Sequence, residues 1–175
     1  MNIVFVGMPG CGKTTIGKII SEKLSRKFYD IDQEIELREG IKIKDIFKHG
    51  ENHFRDIESS VLNEILKADD SIIATGGGVV EREENIESLK TSYVIFLNRD
   101  IDDIILNIKD DTRPLLMGDA KARLNEIYNR RINKYNKVAN CVIDVKDINT
   151  TVLNIINKLK EEGIEWKFCL YLDLI

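Results

Sequence analysis

The sequence has few of the residues that build disulfide frameworks, metal clusters and linkers. Among 175 residues there are three cysteines, two histidines, two prolines and one tryptophan. The three cysteines are odd in number and far apart, which excludes a disulfide framework or a zinc pattern. His49 and His53 stand four apart around Gly50, which weakens any helix that would align them. The sequence therefore predicts no metal site built from these two residue types.

The chain also lacks an excess of positive charge and any long apolar run. Its formal net charge is −4, which does not predict a nucleic-acid partner. The longest apolar runs have the length of a strand, far short of the ~20 residues that span a bilayer. No basic segment or cleavage site precedes the first strand. We therefore expect a cytoplasmic protein with no membrane partner, folded as one domain over residues 1–175, and a monomer.

Strand and helix patterns alternate along the chain, and this order predicts an α/β fold with a parallel sheet and helices on both faces. The apolar segments predict five strands, at Asn2–Val6, Lys27–Tyr29, Ser71–Ala74, Tyr93–Leu97 and Cys141–Val145. The polar and amphipathic segments predict a helix after the first strand, polar helices up to Lys67 with breaks at Gly40 and Gly50, a helix from Asp100 to about Lys109, a basic helix over Ala122–Tyr135, and a last helix over Thr150–Glu161.

Gly7–Thr14 matches the phosphate-binding pattern G-x-x-x-x-G-K-S/T at every position. Glycines let successive backbone N–H groups converge on an anionic oxygen, and the helix that follows adds the positive end of its dipole. Lys13 has the length to reach the β- and γ-phosphates, and the Thr14 hydroxyl is a hard ligand for Mg²⁺. The segment predicts a protein that binds a nucleoside triphosphate and transfers its terminal phosphoryl group. The predicted phosphate-binding residues are Gly10, Cys11, Gly12, Lys13, Thr14 and Thr15.

Asp30 and Asp32 follow the second predicted strand. Residues two apart on a strand point to the same face, so both carboxylates are expected to face one cleft at the carboxyl edge of the sheet. One would help to hold hydrated Mg²⁺, and the other would accept the proton of an attacking hydroxyl. The alternative is that Asp32 only caps the helix that begins at Gln33.

Gly76–Gly78 closes the third predicted strand. Three glycines cost backbone entropy, so the pattern favours a close approach of a substrate oxygen to the chain, with a flexible turn as the alternative. No acid ends this strand, so the metal is expected to depend on Thr14 and on the pair Asp30 and Asp32.

Three arginines are candidates for binding anionic groups. Arg55 lies on a predicted helix and can bind a carboxylate through two N–H groups, with a surface ion pair to Asp56 or Glu58 as the alternative. Arg113 lies in the polar segment 110–121, which has the composition of a mobile lid. Arg131 stands four residues before Tyr135 on one helix face. For Arg113 and Arg131 the alternative is a solvated surface cation.

Taken together, these motifs resemble the shikimate kinase family. In chain order the family's motifs correspond to Gly7–Gly17, Asp30 and Asp32, Phe54–Glu58, Gly76–Gly78, Arg113–Leu116, and Arg131–Tyr135. The resemblance extends to the last predicted helix. It implies a three-layer P-loop NTPase fold of the nucleoside-monophosphate-kinase type, with a five-stranded parallel sheet. It also implies ATP-dependent phosphorylation of the 3-hydroxyl of shikimate, a step towards chorismate and the aromatic amino acids.

The resemblance assigns a role to each motif. Asp32 would bind the substrate hydroxyls and act as the base, while Arg55 and Arg131 would hold the carboxylate. The backbone of Gly77 and Gly78 would contact the substrate. The catalytic set would be Asp32, Lys13 and Arg113, with Arg113 reaching the ATP phosphates from the lid and with Thr14 and Asp30 holding Mg²⁺. The substrate-binding region would cover about residues 32–60.

Two features depart from the family pattern, and two rival functions stay open. Asp144–Thr151 contains no proline, so the contacts to adenine are not assigned, and the tail 163–175 with Trp166 has no counterpart. The nearest rival is another P-loop kinase that acts on a hydroxylated carboxylate such as gluconate. A rival of another class is a nucleotide-binding regulator without catalysis, against which the presence of Lys13, Asp32 and Arg113 argues.

Overall fold

A five-stranded, all-parallel sheet forms the centre of the computed structural model, which describes residues 1–107 and 120–164. The strands are β1 (Ile3–Val6), β2 (Lys27–Asp30), β3 (Ser71–Ala74), β4 (Tyr93–Asn98) and β5 (Cys141–Asp144). Their order across the sheet is β2-β3-β1-β4-β5, and each neighbouring pair is parallel. The side chains of β1 and β3 are all buried, as expected for apolar strands covered on both faces.

Eight α-helices and two 3-10 helices lie within the described residues. The α-helices are α1 (Lys13–Leu24), α2 (Ile31–Glu39), α3 (Ile43–Ile46), α4 (Glu51–Ile65), α5 (Glu83–Leu89), α6 (Ile101–Asn107), α7 (Ala120–Val138) and α8 (Ile148–Glu161). The 3-10 helices are Phe47–His49 and Val79–Glu81. Gly40 ends α2 in the left-handed conformation and Gly50 precedes α4, so both predicted breaks are confirmed.

The helices cover both faces of the sheet. The connection from β1 through α1 to β2 crosses the sheet in the opposite direction to the connection from β2 through α4 to β3. Because parallel crossovers are right-handed, α1 and α4 lie on opposite faces. α8 packs against α1, while α5 and α7 join the layer of α4. The predicted three-layer P-loop NTPase fold is therefore confirmed.

The carboxyl ends of three neighbouring strands place the predicted motifs at one edge of the sheet. β1 leads into Gly7, β2 ends at Asp30, and β3 leads into the Gly76–Gly78 segment. β3 lies between the other two strands in the sheet, so the three motifs are neighbours in space although they are distant in sequence.

Some element predictions need correction. α5 was not predicted, because its seven residues are too few to give a clear helical period. α7 is longer than the predicted basic helix at both ends.

Residues 110–119 of the predicted lid, including Arg113, and residues 165–175 of the tail lie outside the described residues. Among the described helices, none is long and apolar enough to cross a bilayer. The single domain, the monomer, the cytoplasmic location and the lack of a nucleic-acid partner stay predictions.

Candidate active site

The loop between β1 and α1 has positive φ angles at its three glycines, Gly7, Gly10 and Gly12, a conformation that glycine adopts most readily. Gly7 has φ 145°, and a Cβ placed on it would lie 2.5 Å from the carbonyl oxygen of Leu97. Gly12 has φ 106° and is the N-cap of α1, so the loop opens onto the N-terminus of a 12-residue helix. Backbone N–H groups at such an end have no partner within the helix and form a site for an anion.

Lys13 lies folded over this loop. Its Nζ donates hydrogen bonds to the carbonyl oxygens of Gly7 and Met8, each at 2.9 Å, and lies 3.8 Å from the Sγ of Cys11. The Cys11 side chain is fully buried, which agrees with a small residue that fits a tight loop. The ammonium charge of Lys13 is thus held within the loop, on a side chain of which little is exposed.

A cleft of about 510 Å³ opens over the loop. Its walls come from the loop between β1 and α1 (the P-loop, Gly7–Thr14), the start of α2 and the end of β3. They bring together most of the residues that were predicted to form the site. The lining residues are Pro9, Gly10, Gly12, Lys13, Thr14, Thr15, Asp30, Asp32, Gln33, Thr75 and Gly77. Thr75 and Gln33 also line the cleft but were not predicted as site residues. In the sequence, only their position next to the predicted motifs indicates such a role.

The two aspartates do not share a strand face, so the predicted geometry is wrong, but both line the same cleft as expected. β2 ends at Asp30, and α2 begins at Ile31, which places Asp32 in the first turn of that helix. Asp30 is the N-cap, since its Oδ1 accepts a hydrogen bond from the backbone N–H of Gln33 at 3.2 Å. The helix starts earlier than predicted because this carboxylate satisfies one of the N–H groups left open at its end.

Thr14 and Asp30 offer hard oxygen atoms side by side. The Thr14 hydroxyl donates a hydrogen bond of 2.6 Å to the Oδ2 of Asp30, at the floor of the cleft. Within residues 1–107 and 120–164, no group of three or more His, Cys, Asp or Glu side chains is placed to hold a metal ion. A hydroxyl and a carboxylate next to a phosphate site fit Mg²⁺, which keeps several waters and takes few protein ligands.

Asp32 is an acidic group whose surroundings favour its protonated form. Its pKa is raised, first because burial disfavours the charged carboxylate and then because Asp30 is negatively charged; Lys13 and Arg55 act in the opposite direction. A Cβ placed on Gly76 would lie 2.8 Å from the Oδ1 of Asp32. The carboxylate therefore contacts the first glycine of the triplet, and its raised pKa makes it a stronger proton acceptor when it is ionised.

Arg55 is buried. The alternative ion pair with Glu58 does form, but it lies in the interior and not at the surface. Its Nη1 donates to the Oε2 of Glu58 at 2.6 Å, and its Nη2 donates to the Oε1 of Glu51 at 3.1 Å. Glu58 has no exposed surface. Its pKa is raised, because burial outweighs the opposing effect of the positive charge of Arg55. The guanidinium fills the space where a Cβ of Gly78 would be. Arg55 is thereby fixed against the last glycine of the triplet.

Glu58 belongs to the motif around Arg55, but its environment was not predicted. Its Oε1 is buried and has no hydrogen-bond partner among the described residues, and it would lie 2.6 Å from a Cβ on Gly76. It therefore approaches the same glycine as Asp32, and the charge of Asp32 is among the causes that raise the pKa of Glu58.

Arg131 is buried, in contrast to its neighbour Arg130, so a solvated basic face is excluded for Arg131. It is 6% exposed, whereas the Arg130 side chain is 53% exposed. Its Nη1 donates to the carbonyl oxygen of Gly77 at 3.1 Å, and the Tyr135 hydroxyl donates to the same oxygen. The predicted Arg-x-x-x-Tyr face of the helix thus docks on the middle glycine.

The middle glycine also contacts the P-loop. A Cβ on Gly77 would lie 2.6 Å from both the Cδ and the Cγ of Pro9. Each glycine of the triplet thus faces a different part of the site. Gly76 faces the carboxylates, Gly77 lies between the P-loop and α7, and Gly78 faces Arg55. This tight fit excludes the alternative of a flexible turn.

Comparisons with known proteins agree with this geometry. The shikimate kinase family model matches residues 9–160. A curated shikimate kinase from Clostridium beijerinckii (strain ATCC 51743 / NCIMB 8052) is 40% identical over 161 residues, covering 91% of this chain and 92% of that protein. A curated shikimate kinase from Clostridium botulinum (strain Alaska E43 / Type E3) is 42% identical over 160 residues, covering 91% of this chain and 94% of that protein.

A solved structure gives the same result. The shikimate kinase from Acinetobacter baumannii, determined in complex with shikimate, superposes with a TM-score of 0.86 at 32% identity and covers 94% of this chain and 95% of that one. A gluconokinase from Sinorhizobium meliloti 1021 has a TM-score of 0.58 at 16% identity, over 93% of this chain and 97% of that one, which shows a shared fold alone. The chain therefore belongs to the shikimate kinase family and is a phosphotransferase that uses ATP as its co-substrate.

Proposed function

We propose that this protein transfers the γ-phosphoryl group of ATP to the 3-hydroxyl of shikimate, giving shikimate 3-phosphate. The observation that carries the proposal is the Gly76–Gly78 segment. Its three residues contact, in turn, Asp32, the P-loop together with Arg131, and Arg55. A carboxylate that can accept a proton, a phosphate site and two cations that can bind a carboxylate therefore converge on one short stretch of backbone.

The acceptor side fits a small polyol with one carboxylate. Arg55 and Arg131 supply planar guanidinium groups that bind the substrate carboxylate through pairs of N–H groups. Asp32 accepts hydrogen bonds from the substrate hydroxyls. The backbone of Gly77 and Gly78 contacts the substrate. Glycine is required at both positions because a Cβ would collide with Pro9 and Arg55.

The donor side is the loop and the start of α1. The backbone N–H groups of Gly10–Thr15 bind the phosphates, and Lys13 turns from the loop carbonyls towards the β- and γ-phosphates. Thr14 and Asp30 would hold Mg²⁺, the Thr14 hydroxyl directly and Asp30 through water, and their adjacent oxygens at 2.6 Å support this pairing. When bound, Mg²⁺ neutralises charge on the phosphate oxygens. The protein's own contribution is to align the donor and the acceptor and to exclude water.

Asp32 takes the proton from the attacking 3-hydroxyl as the phosphoryl group arrives. Phosphoryl transfer needs positioning and charge neutralisation more than covalent catalysis, so one positioned base is sufficient. Arg113, which lies outside the described residues, is proposed to reach the ATP phosphates from the lid and to neutralise the charge that develops on the transferred group.

A coupled assay of ADP release tests the proposed function. With Mg²⁺ and ATP, we expect turnover with shikimate and at least about 100-fold lower kcat/KM with gluconate, because a site built to pair with specific polar groups discriminates strongly. A panel of other hydroxylated carboxylates supplies the comparison. Turnover with gluconate and none with shikimate would establish the rival kinase function, and no turnover with any acceptor would favour the non-catalytic regulator.

A further inference from the structure

Glu81 ends the 3-10 helix that follows the glycine triplet, and three cations of α7 converge on it. Its Oε1 accepts a hydrogen bond from the Nε of Arg131 at 2.6 Å and lies 2.9 Å from the Nη2 of Arg130. Its Oε2 accepts a hydrogen bond from the Nζ of Lys134 at 3.0 Å. This carboxylate lies outside the sequence motifs and takes no part in the proposed chemistry.

The contacts of Arg131 determine which of its donors are available to a ligand. A guanidinium group has five N–H donors. Glu81 takes the Nε donor, and the carbonyl oxygen of Gly77 takes one donor of Nη1. Within residues 1–107 and 120–164, the Nη2 atom at the end of the group has no hydrogen-bond partner, so its donors remain for a ligand. Two anchors at different points of the plane also prevent the group from rotating, so its free end has one orientation.

The charge and the position of Glu81 have opposite effects on the binding of a substrate carboxylate by Arg131. Burial raises its pKa, but the hydrogen bonds and charges of Arg131 and Lys134 outweigh burial and lower the pKa to about 2. The carboxylate is therefore ionised at every pH at which the enzyme would be assayed. By charge alone, a fixed anion next to Arg131 weakens the attraction for a second carboxylate. By geometry, it fixes the guanidinium group that binds that carboxylate.

We propose that Glu81 is a positioning residue for substrate binding, which orients Arg131 so that the end of its guanidinium group meets the substrate carboxylate. The inference rests on the proposed function. It predicts that loss of Glu81 weakens shikimate binding, because a buried guanidinium group that loses its strongest anchor samples other rotamers. An effect of charge alone predicts the opposite, because loss of an anion would strengthen binding.

The test substitutes Glu81→Ala in the full chain and measures KM for shikimate, KM for ATP and kcat. We expect KM for shikimate to rise about tenfold, as for a lost charge-assisted hydrogen bond, with KM for ATP and kcat within about twofold. The matched control is Glu83→Ala. Glu83 pairs with Lys137 and so joins the same two segments, but it does not contact Arg131. We expect the control to leave all three constants within about twofold.

A double-mutant cycle separates positioning from a general structural role. In an Arg131→Ala background, the further change Glu81→Ala should alter KM for shikimate less than twofold, because its effect passes through Arg131. An unchanged or lower KM in the single variant would overturn the inference, as would a full tenfold effect without Arg131. Wild-type protein without turnover on shikimate would overturn the proposed function and this inference together, whereas an active wild type with a normal Glu81→Ala variant overturns this inference alone.

Discussion

The Asp32→Asn variant is expected to lose activity by about 100-fold to 10,000-fold in kcat, the range associated with a positioned general base. Asparagine keeps the shape of the side chain and its place in the first turn of α2, but it does not accept the proton of the substrate hydroxyl. Burial makes Asp32 a stronger base than an exposed aspartate, so the loss should be large. Since Asp32 lies at the acceptor side of the cleft, the dissociation constant for ATP should stay within about threefold of that of wild type.

Steady-state kinetics with shikimate, together with calorimetric titration of ATP, check this prediction. Asp45→Asn is the matched control, because Asp45 is the same residue type on α3, its carboxylate pairs with the exposed Lys48, and it should give wild-type kinetics. A kcat for Asp32→Asn within threefold of wild type would remove Asp32 from the role of base. A variant that no longer binds ATP would show that Asp32 serves the nucleotide side of the cleft.

Replacing Lys13 with methionine is expected to lower kcat by about 100-fold to 1,000-fold, similar to the removal of one donor aimed at a developing negative charge. Methionine has similar length and flexibility but no charge. In the present structure Lys13 holds the loop through the carbonyl oxygens of Gly7 and Met8. The variant should therefore also show a weaker ATP affinity, because the phosphates lose a cation and the loop loses two hydrogen bonds.

Lys18→Met serves as the control for this prediction, since Lys18 lies on the same helix with its charge exposed beside the Phe28 ring. Thermal unfolding of both variants shows whether the loop change affects the fold, and single-turnover rates with saturating ATP separate binding from chemistry. A Lys13→Met variant that retains its single-turnover rate at saturating ATP would limit Lys13 to nucleotide binding.

The fold could be predicted from the sequence because its apolar strands are continuous and its P-loop is specific. β1 and β3 read as buried strands because both of their faces are covered, and the glycine breaks mark real helix ends. α5 was missed because two turns of helix leave almost no period to detect. The bounds of α2 were shifted because Asp30 caps the helix, two residues earlier than the expected cap Asp32.

The candidate site could be predicted as a set of residues but not as a geometry. The motifs gave Asp32, Arg55 and Arg131, and the structure brings all three to the glycine triplet. The sequence did not reveal that Glu58 is fully buried, since an Arg and a Glu three residues apart on a helix are usually a surface pair. It also gave no sign of Glu81, because its contacts join segments 50 residues apart along the chain.

The position of the phosphate on the product is the most direct test of the central claim, that this site transfers a phosphoryl group to the 3-hydroxyl of shikimate. After incubation with Mg²⁺, ATP and shikimate, phosphorus–proton correlation NMR assigns the esterified carbon. We predict one new phosphoester, with the phosphorus coupled to the proton on carbon 3 of the ring. A phosphate on another hydroxyl, or free phosphate with unmodified shikimate, would contradict the account.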